Sequence, residues 1–318
     1  SPSRTLNSLF SLAIPISAIM LYLNLDPLHR RQAIAVIIAL TGISALWAAI
    51  QLAGPDRGPF YLYNITNEGA AVGLFANRNH QAVLLAATIV MLGWYGVSQT
   101  AAAKLAALKL YISIAAIYVI IPLIFITGSR AGLILMVPAL VTAMLLIYFG
   151  RPTTKNRSSD NYNLTIMKWV TSRNAILFIT IALVFVMGTL SIYFSRSLAF
   201  DRLFDRSNVE GLRGQLIPIL TQMAVDYLPW GSGFGSFEHV YRIYEPQELL
   251  NPTYLNHAHN DWLQLPIEGG LPAIMILVVA AVWGVMKFIT LARKWRHAHY
   301  TKYTGTMAAM VISLFLAA

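Results

Sequence analysis

Cysteine is absent from all 318 residues, so neither a disulfide nor a thiolate metal site contributes to fold or function. Charge is scarce as well. Charged side chains make up 11% of the chain and hydrophobic ones 57%, whereas a soluble domain carries roughly 25% charged residues. That deficit excludes an ordinary soluble protein and puts the chain in lipid. Acidic residues are the rarest of the charged class, 13 against 23 basic, which leaves a net charge of +10. Such an excess could serve nucleic acid, but the cations sit in loops between apolar runs. They are therefore a topology signal, and nucleic acid is not an expected partner. An initiator Met and a signal-peptide pattern are also missing. The final apolar run, from Gly305 to Ala318, is shorter than the roughly 20 residues of a spanning helix. The expectation is an internal piece of a longer membrane protein.

What is present is a series of eight apolar runs, at about 6–24, 33–53, 82–99, 110–127, 131–149, 175–195, 271–289 and 305–318. They predict an all-α, polytopic transmembrane helix bundle with about eight spans. Pro15, Pro122 and Pro138 fall inside these runs, which neighbouring helices tolerate in a membrane. The predicted organisation is six spans over 1–195, one large outer segment over 196–270, and two spans over 271–318, the last of them clipped. No internal repeat is visible.

Alternating the loops sorts the cations into two sets. Fourteen fall in short loops with only Asp26 and Asp160 for company, among them Arg30, Arg31, Lys104, Lys109 and Lys287; by the positive-inside rule these are cytoplasmic. The other set is Arg4, Arg57, Arg78, Arg130, Arg196, Arg202, Arg206, Arg213 and Arg242, with no lysine among them. Guanidinium grips phosphate through a planar fork where ammonium is a point charge, so an arginine-only face suits phosphate; codon bias explains the split equally well. Within the outer segment, Leu212, Leu216, Ile219, Leu220, Met223 and Tyr227 recur at helical spacing and predict an amphipathic helix along the membrane surface or capping the bundle. Pro229 and the glycines at 231, 233 and 235 break it, and Phe237, Val240, Tyr241 and Tyr244 predict a second short helix.

The densest polar cluster is Asn256-His257-Ala258-His259-Asn260-Asp261, with Glu268-Gly269-Gly270 at the mouth of the next span. Histidine titrates near neutral pH, so this cluster is a candidate general-base site. The competing reading is helix capping, with Asn256 or Asn260 as the cap and the histidines as surface residues. His257, His259 and Asp261 also open a zinc-hydrolase signature, but Trp262 stands where that signature expects another histidine, so no metal is expected. Thr127-Gly128-Ser129-Arg130 is a tight hairpin that pins an arginine at the end of two spans, a functional position or a snorkelling anchor. Arg213 opens the amphipathic helix, where a helix N-terminus favours phosphate. The Gly231-x-Gly233-x-Gly235 run has no strand before it and reads as a turn. Asn77-Arg78-Asn79-His80 forms a polar cap before a span.

Taken in order, these motifs resemble the O-antigen ligase and polymerase superfamily over about residues 70–290: Gly73 to Asn79, the hairpin at Arg130, Arg213, Pro229 to Phe237, and His257 to Asp261 leading to Glu268 and Gly270-Leu271. The resemblance implies a polytopic enzyme of the bacterial inner membrane, with its site facing the periplasm. It would use an undecaprenyl-diphosphate-linked glycan donor, without metal or cofactor. The acceptor would be lipid A core, a growing glycan or a protein, and membrane lipid would surround the spans. By resemblance His259, Arg130 and Arg213 are the catalytic residues; Arg78, Asn79, His257, Asn260, Asp261 and Glu268 are expected to bind substrate. The family often carries tryptophan four residues after the second arginine, where this chain has Ile217. A transporter or flippase of the same lipid-linked glycan is the alternative; such proteins place charge and broken helices at mid-membrane and show inverted repeats.

Overall fold

The computed structural model describes residues 13–55, 58–63, 69–98, 103–150, 210–247 and 260–297, together with Leu6, Phe10, Leu255, His257 and Ala258. Among them there is no strand. The helices are α1 (Ala13–Asn24), α2 (Pro27–Ala53), α3 (Arg78–Val97), α4 (Ala103–Thr127), α5 (Arg130–Gly150), α6 (Glu210–Asp226), α7 (Phe237–Tyr244) and α8 (Asp261–His297). Five stretches are long and apolar enough to cross a bilayer: Pro27–Ala53, Arg78–Val97, Leu105–Thr127, Arg130–Tyr148 and Trp262–Lys287. At 1.5 Å per residue, about 20 residues match a hydrocarbon core of about 30 Å. Of the expected run at 6–24 the described residues include the 12-residue α1, with Leu6 and Phe10 also helical. The runs at 175–195 and 305–318 lie outside the described residues.

The last span differs from its expectation in one respect. Helix begins at Asp261 rather than near 271, and its backbone breaks at Gly270 (φ 57°, ψ −148°), so Asp261–Gly269 is a separate helical stretch before the span. Asn260 explains the early start. Its side-chain oxygen accepts from Trp262 N (3.1 Å) and its carbonyl accepts from Leu263 N and Gln264 N, which is an N-cap. The capping alternative for Asn260 is therefore realised.

The described helices fall into two compact units. One is built on α2 from Arg31, α3, α4 and α5. Here α3 is the least apolar span and the most enclosed, because its polar side chains need protein partners that lipid cannot supply. Gly132 of α5 abuts Ala82 of α3, and eleven residues further along both helices a Cβ on Gly93 would lie 2.7 Å from the Ala143 Cα. Equal steps on both helices mean that α3 and α5 run parallel, their backbones close because the contact residues are small. Helix α4 returns antiparallel, chiefly against α3: Gly96 meets Ser113, and Lys109 Nζ donates to the Ser98 carbonyl (2.6 Å). Its core joins Leu85, Ile89, Ile121, Ile124, Met136 and Leu146.

Polar pins hold the segment before α3 onto α2. Gln51, fully buried, donates to the Phe60 and Gly73 carbonyls (3.0 and 2.9 Å) and accepts from Val72 N and Gly73 N. Ser44 donates to Gln81 Oε1 (2.6 Å) and accepts from Leu74 N, while Thr88 donates to Thr41 (3.1 Å). These bonds set where α3 starts.

The other unit carries α1, α6, α7 and α8 as far as Lys287. Leu220 and Met223 of α6, Phe237, Val240 and Tyr241 of α7, and Ile267 of α8 form its buried cluster. Both outer helices expected from the spacing are thus present, and α6 spends its apolar face on α7 and the start of α8. Tyr244 donates to Asp226 (2.8 Å), tying α7 to the end of α6, and this bond to a carboxylate raises the Tyr244 pKa above its ordinary value. Burial, with Glu245 nearby, likewise raises that of Tyr241.

Candidate functional site

In the α2–α5 unit the polar residues gather where α3 and α5 begin. Asn77 caps α3, its side chain accepting from Asn79 N (2.8 Å). Helix α4 stops at Thr127 and Gly128 turns the chain in the left-handed region (φ 61°). Ser129 then caps α5. Its Oγ accepts from Gly132 N (3.1 Å), and its own N–H donates to Thr127 Oγ1 (3.3 Å). The same Oγ donates to Asn79 Oδ1 at 2.8 Å. One hydrogen bond therefore couples the N-termini of two parallel helices.

Each of those helices opens on an arginine. Arg78 is the first residue of α3 and Arg130 the first of α5, and both are half-buried. The Arg78 Nε is buried without a hydrogen-bond partner. A helix N-terminus carries the equivalent of roughly half a positive charge. Two adjoining helix N-termini, each opening on an arginine, concentrate positive charge that favours an anion. Ser129 was not picked out from the sequence, although a serine directly before a helical run is a recognisable capping signal.

The α6–α8 unit holds the histidine segment. His257 is exposed, Asn260 caps α8, and Asp261 is its first residue, with a side chain outside the described set. His259 itself lies outside the described residues, as does Asn256. Arg213 is the fourth residue of α6, near its N-terminus as expected, and its side chain too lies outside the described set. Ile217 is exposed on α6. Glu268 is buried, and its carboxylate accepts from Phe237 N (3.1 Å), the first N–H of α7. A carboxylate there complements the helix dipole. Among the described residues no group of three or more His, Asp or Glu side chains is placed to hold a metal ion.

The glycine run is a clasp. Ser232 N donates to the Ile267 carbonyl (2.8 Å), Gly233 N to that of Glu268 (2.9 Å), and Leu271 N to that of Pro229 (2.8 Å). Gly231 (φ 79°) faces the break in α8: a Cβ there would strike the Glu268 carbonyl, and one on Gly270 would strike that of Pro229. Gly233 (φ 97°) faces open space. The turn reading of this run is correct, and the turn locks the 229–233 segment against residues 267–271. Gly231→Ala is accordingly expected to cost about 2–5 kcal/mol, combining left-handed strain with backbone overlap. Gly233→Ala should cost only the strain, about 1–2 kcal/mol. Thermal unfolding of the two variants checks this, and equal losses would remove the clasp.

Helices of spanning length, with no strand among the described residues, define a helical, multi-pass membrane protein. A family model described as O-antigen ligase matches residues 115–278, just over half the chain, and the chain belongs to that family. The match takes in Arg130, Arg213, the histidine segment and Glu268, and stops short of Arg78 and Asn79. No curated protein and no solved structure matches the chain.

Proposed function

We propose that this protein transfers a glycan from an undecaprenyl-diphosphate-linked donor to an acceptor hydroxyl, at the periplasmic face of the bacterial inner membrane. Family membership supports a ligase or polymerase of lipid-linked glycans. The observation that carries the reading is the Ser129–Asn79 hydrogen bond, because it sets Arg78 and Arg130 at adjoining helix N-termini. A diphosphate is the part of such a donor that calls for this charge.

In the proposed reaction Arg130 and Arg213, with Arg78, hold the diphosphate. His259 removes the acceptor proton as the acceptor oxygen attacks the anomeric carbon. The bond from that carbon to the diphosphate oxygen breaks, inverting the centre, and polyprenyl diphosphate leaves with its new charge held by the guanidinium groups. Stabilising charge that develops in the transition state is commonly the largest catalytic contribution. No metal takes part in this scheme. Asp261, Asn260 and His257 are assigned to acceptor binding, while Glu268 acts through its hold on α7.

The full-length protein, purified into sealed proteoliposomes and given lipid-linked donor, is expected to release free polyprenyl diphosphate only when acceptor is present. Donor that crosses the bilayer unconverted would instead establish the transporter reading.

A further inference from the structure

Gln264, which the sequence did not single out, carries two bonds that capping does not require. Asn260 already supplies the cap of α8 through its side chain and carbonyl. Gln264, one turn into the helix, reaches back over the cap instead. Its Oε1 accepts from Ala258 N at 3.0 Å, and its Nε2 lies 3.2 Å from His257 Nδ1.

The chemistry of these atoms leaves one arrangement. A backbone N–H can only donate, so the amide atom facing Ala258 is the oxygen. The other end is then the NH2, which also only donates. His257 Nδ1 must supply the lone pair, and the proton of the neutral ring resides on Nε2. The ring is exposed, which leaves that N–H for a partner. Ala258, the residue before His259, is meanwhile pinned at its N–H and rests against the α6–α7 cluster.

We propose that Gln264 is a positioning residue that anchors the histidine segment and locks His257 with Nδ1 accepting, so that His257 serves as a neutral hydrogen-bond donor to a substrate oxygen. The inference rests on the transferase reading. It divides the labour between the two histidines: His257 has no free lone pair with which to take a proton, so abstraction falls to His259.

Gln264→Glu separates the two bonds. A carboxylate still accepts from Ala258 N, but against Nδ1 it demands a donor, which moves the ring proton to Nδ1. The full-length protein with ring-15N histidine, in nanodiscs at pH 8, is expected to show His257 as the Nε2–H tautomer, assigned by loss of its signals in His257→Asn. Gln264→Glu should switch it to Nδ1–H with unchanged thermal stability and lower kcat/KM by about 10- to 100-fold, the worth of one hydrogen bond to a charged or developing-charge group. Gln264→Leu, which loses both bonds, should lower kcat/KM at least as far. A wild-type Nδ1–H tautomer would overturn the proposal, as would a switched tautomer with unchanged kcat/KM. Should the wild-type protein prove unable to transfer glycan, the transferase reading fails by itself, and the wild-type tautomer still decides whether Gln264 holds His257 as described.

Discussion

His259→Ala is expected to lower glycan transfer by about 10²–10⁴-fold, the usual contribution of a positioned general base, while the protein still inserts and binds donor. An acceptor hydroxyl is a poor nucleophile until its proton has somewhere to go. Among the groups near the start of α8, Asn260 is committed to the cap, and His257 is engaged at Nδ1 by Gln264. In the proposed mechanism His259 receives that proton. Turnover of the variant in nanodiscs, measured beside donor binding, checks the expectation. Activity within tenfold of the unaltered protein would take His259 out of the mechanism. Activity lost together with donor binding would point instead to a folding defect at the start of α8.

The second large effect is expected at Arg130. Lysine there keeps the charge but gives up the fork, so Arg130→Lys separates electrostatic attraction from bidentate grip. Removal of a group that stabilises transition-state charge costs about 10²–10³-fold in kcat. Arg130→Ala should fall in that range, with Arg130→Lys recovering only part of it. The hairpin makes the test sharp. Thr127 and Ser129 are bonded to each other, Ser129 is bonded to Asn79, and Arg130 starts α5 directly afterwards, so its backbone cannot shift to suit a shorter head group. Equal donor affinity and equal turnover in the lysine variant would refute bidentate diphosphate binding and leave Arg130 as an interface anchor.

Much of the architecture was legible before any coordinates. The spans around 33–53, 82–99, 110–127 and 131–149 all became helices of spanning length, because a long apolar run has few other ways to satisfy its backbone in lipid. The two outer helices followed from their spacing: Leu220 and Met223, then Phe237, Val240 and Tyr241, are buried as the periodicity requires. Ahead of the span expected from about 271, α8 carries an additional helical stretch, Asp261–Gly269, that the apolar pattern does not mark. Its opening, Asp261 to Gly269, ends in two glycines and carries Pro266, so it lacks the continuous apolar signature of the span that follows. Capping by Asn260 and packing of Ile267 into the α6–α7 cluster make it helical all the same. Candidate residues were legible by type and partners were not. Glu268 was read as a group for the substrate side, and the structure commits its carboxylate to the first N–H of α7.

The sequence by itself determined that this chain lives in lipid and that it is helical. Those properties come from composition and local periodicity, and bilayer thickness and backbone hydrogen bonding act on them segment by segment. Tertiary structure alone decided which distant polar groups meet: Ser129 with Asn79 across 50 residues, and Ser232 with Ile267 across 35. The first depends on α3 and α5 running parallel with small residues between their backbones, the second on the 229–233 turn closing over residues 267–271. That is a property of packing between distant segments, and no local pattern encodes it.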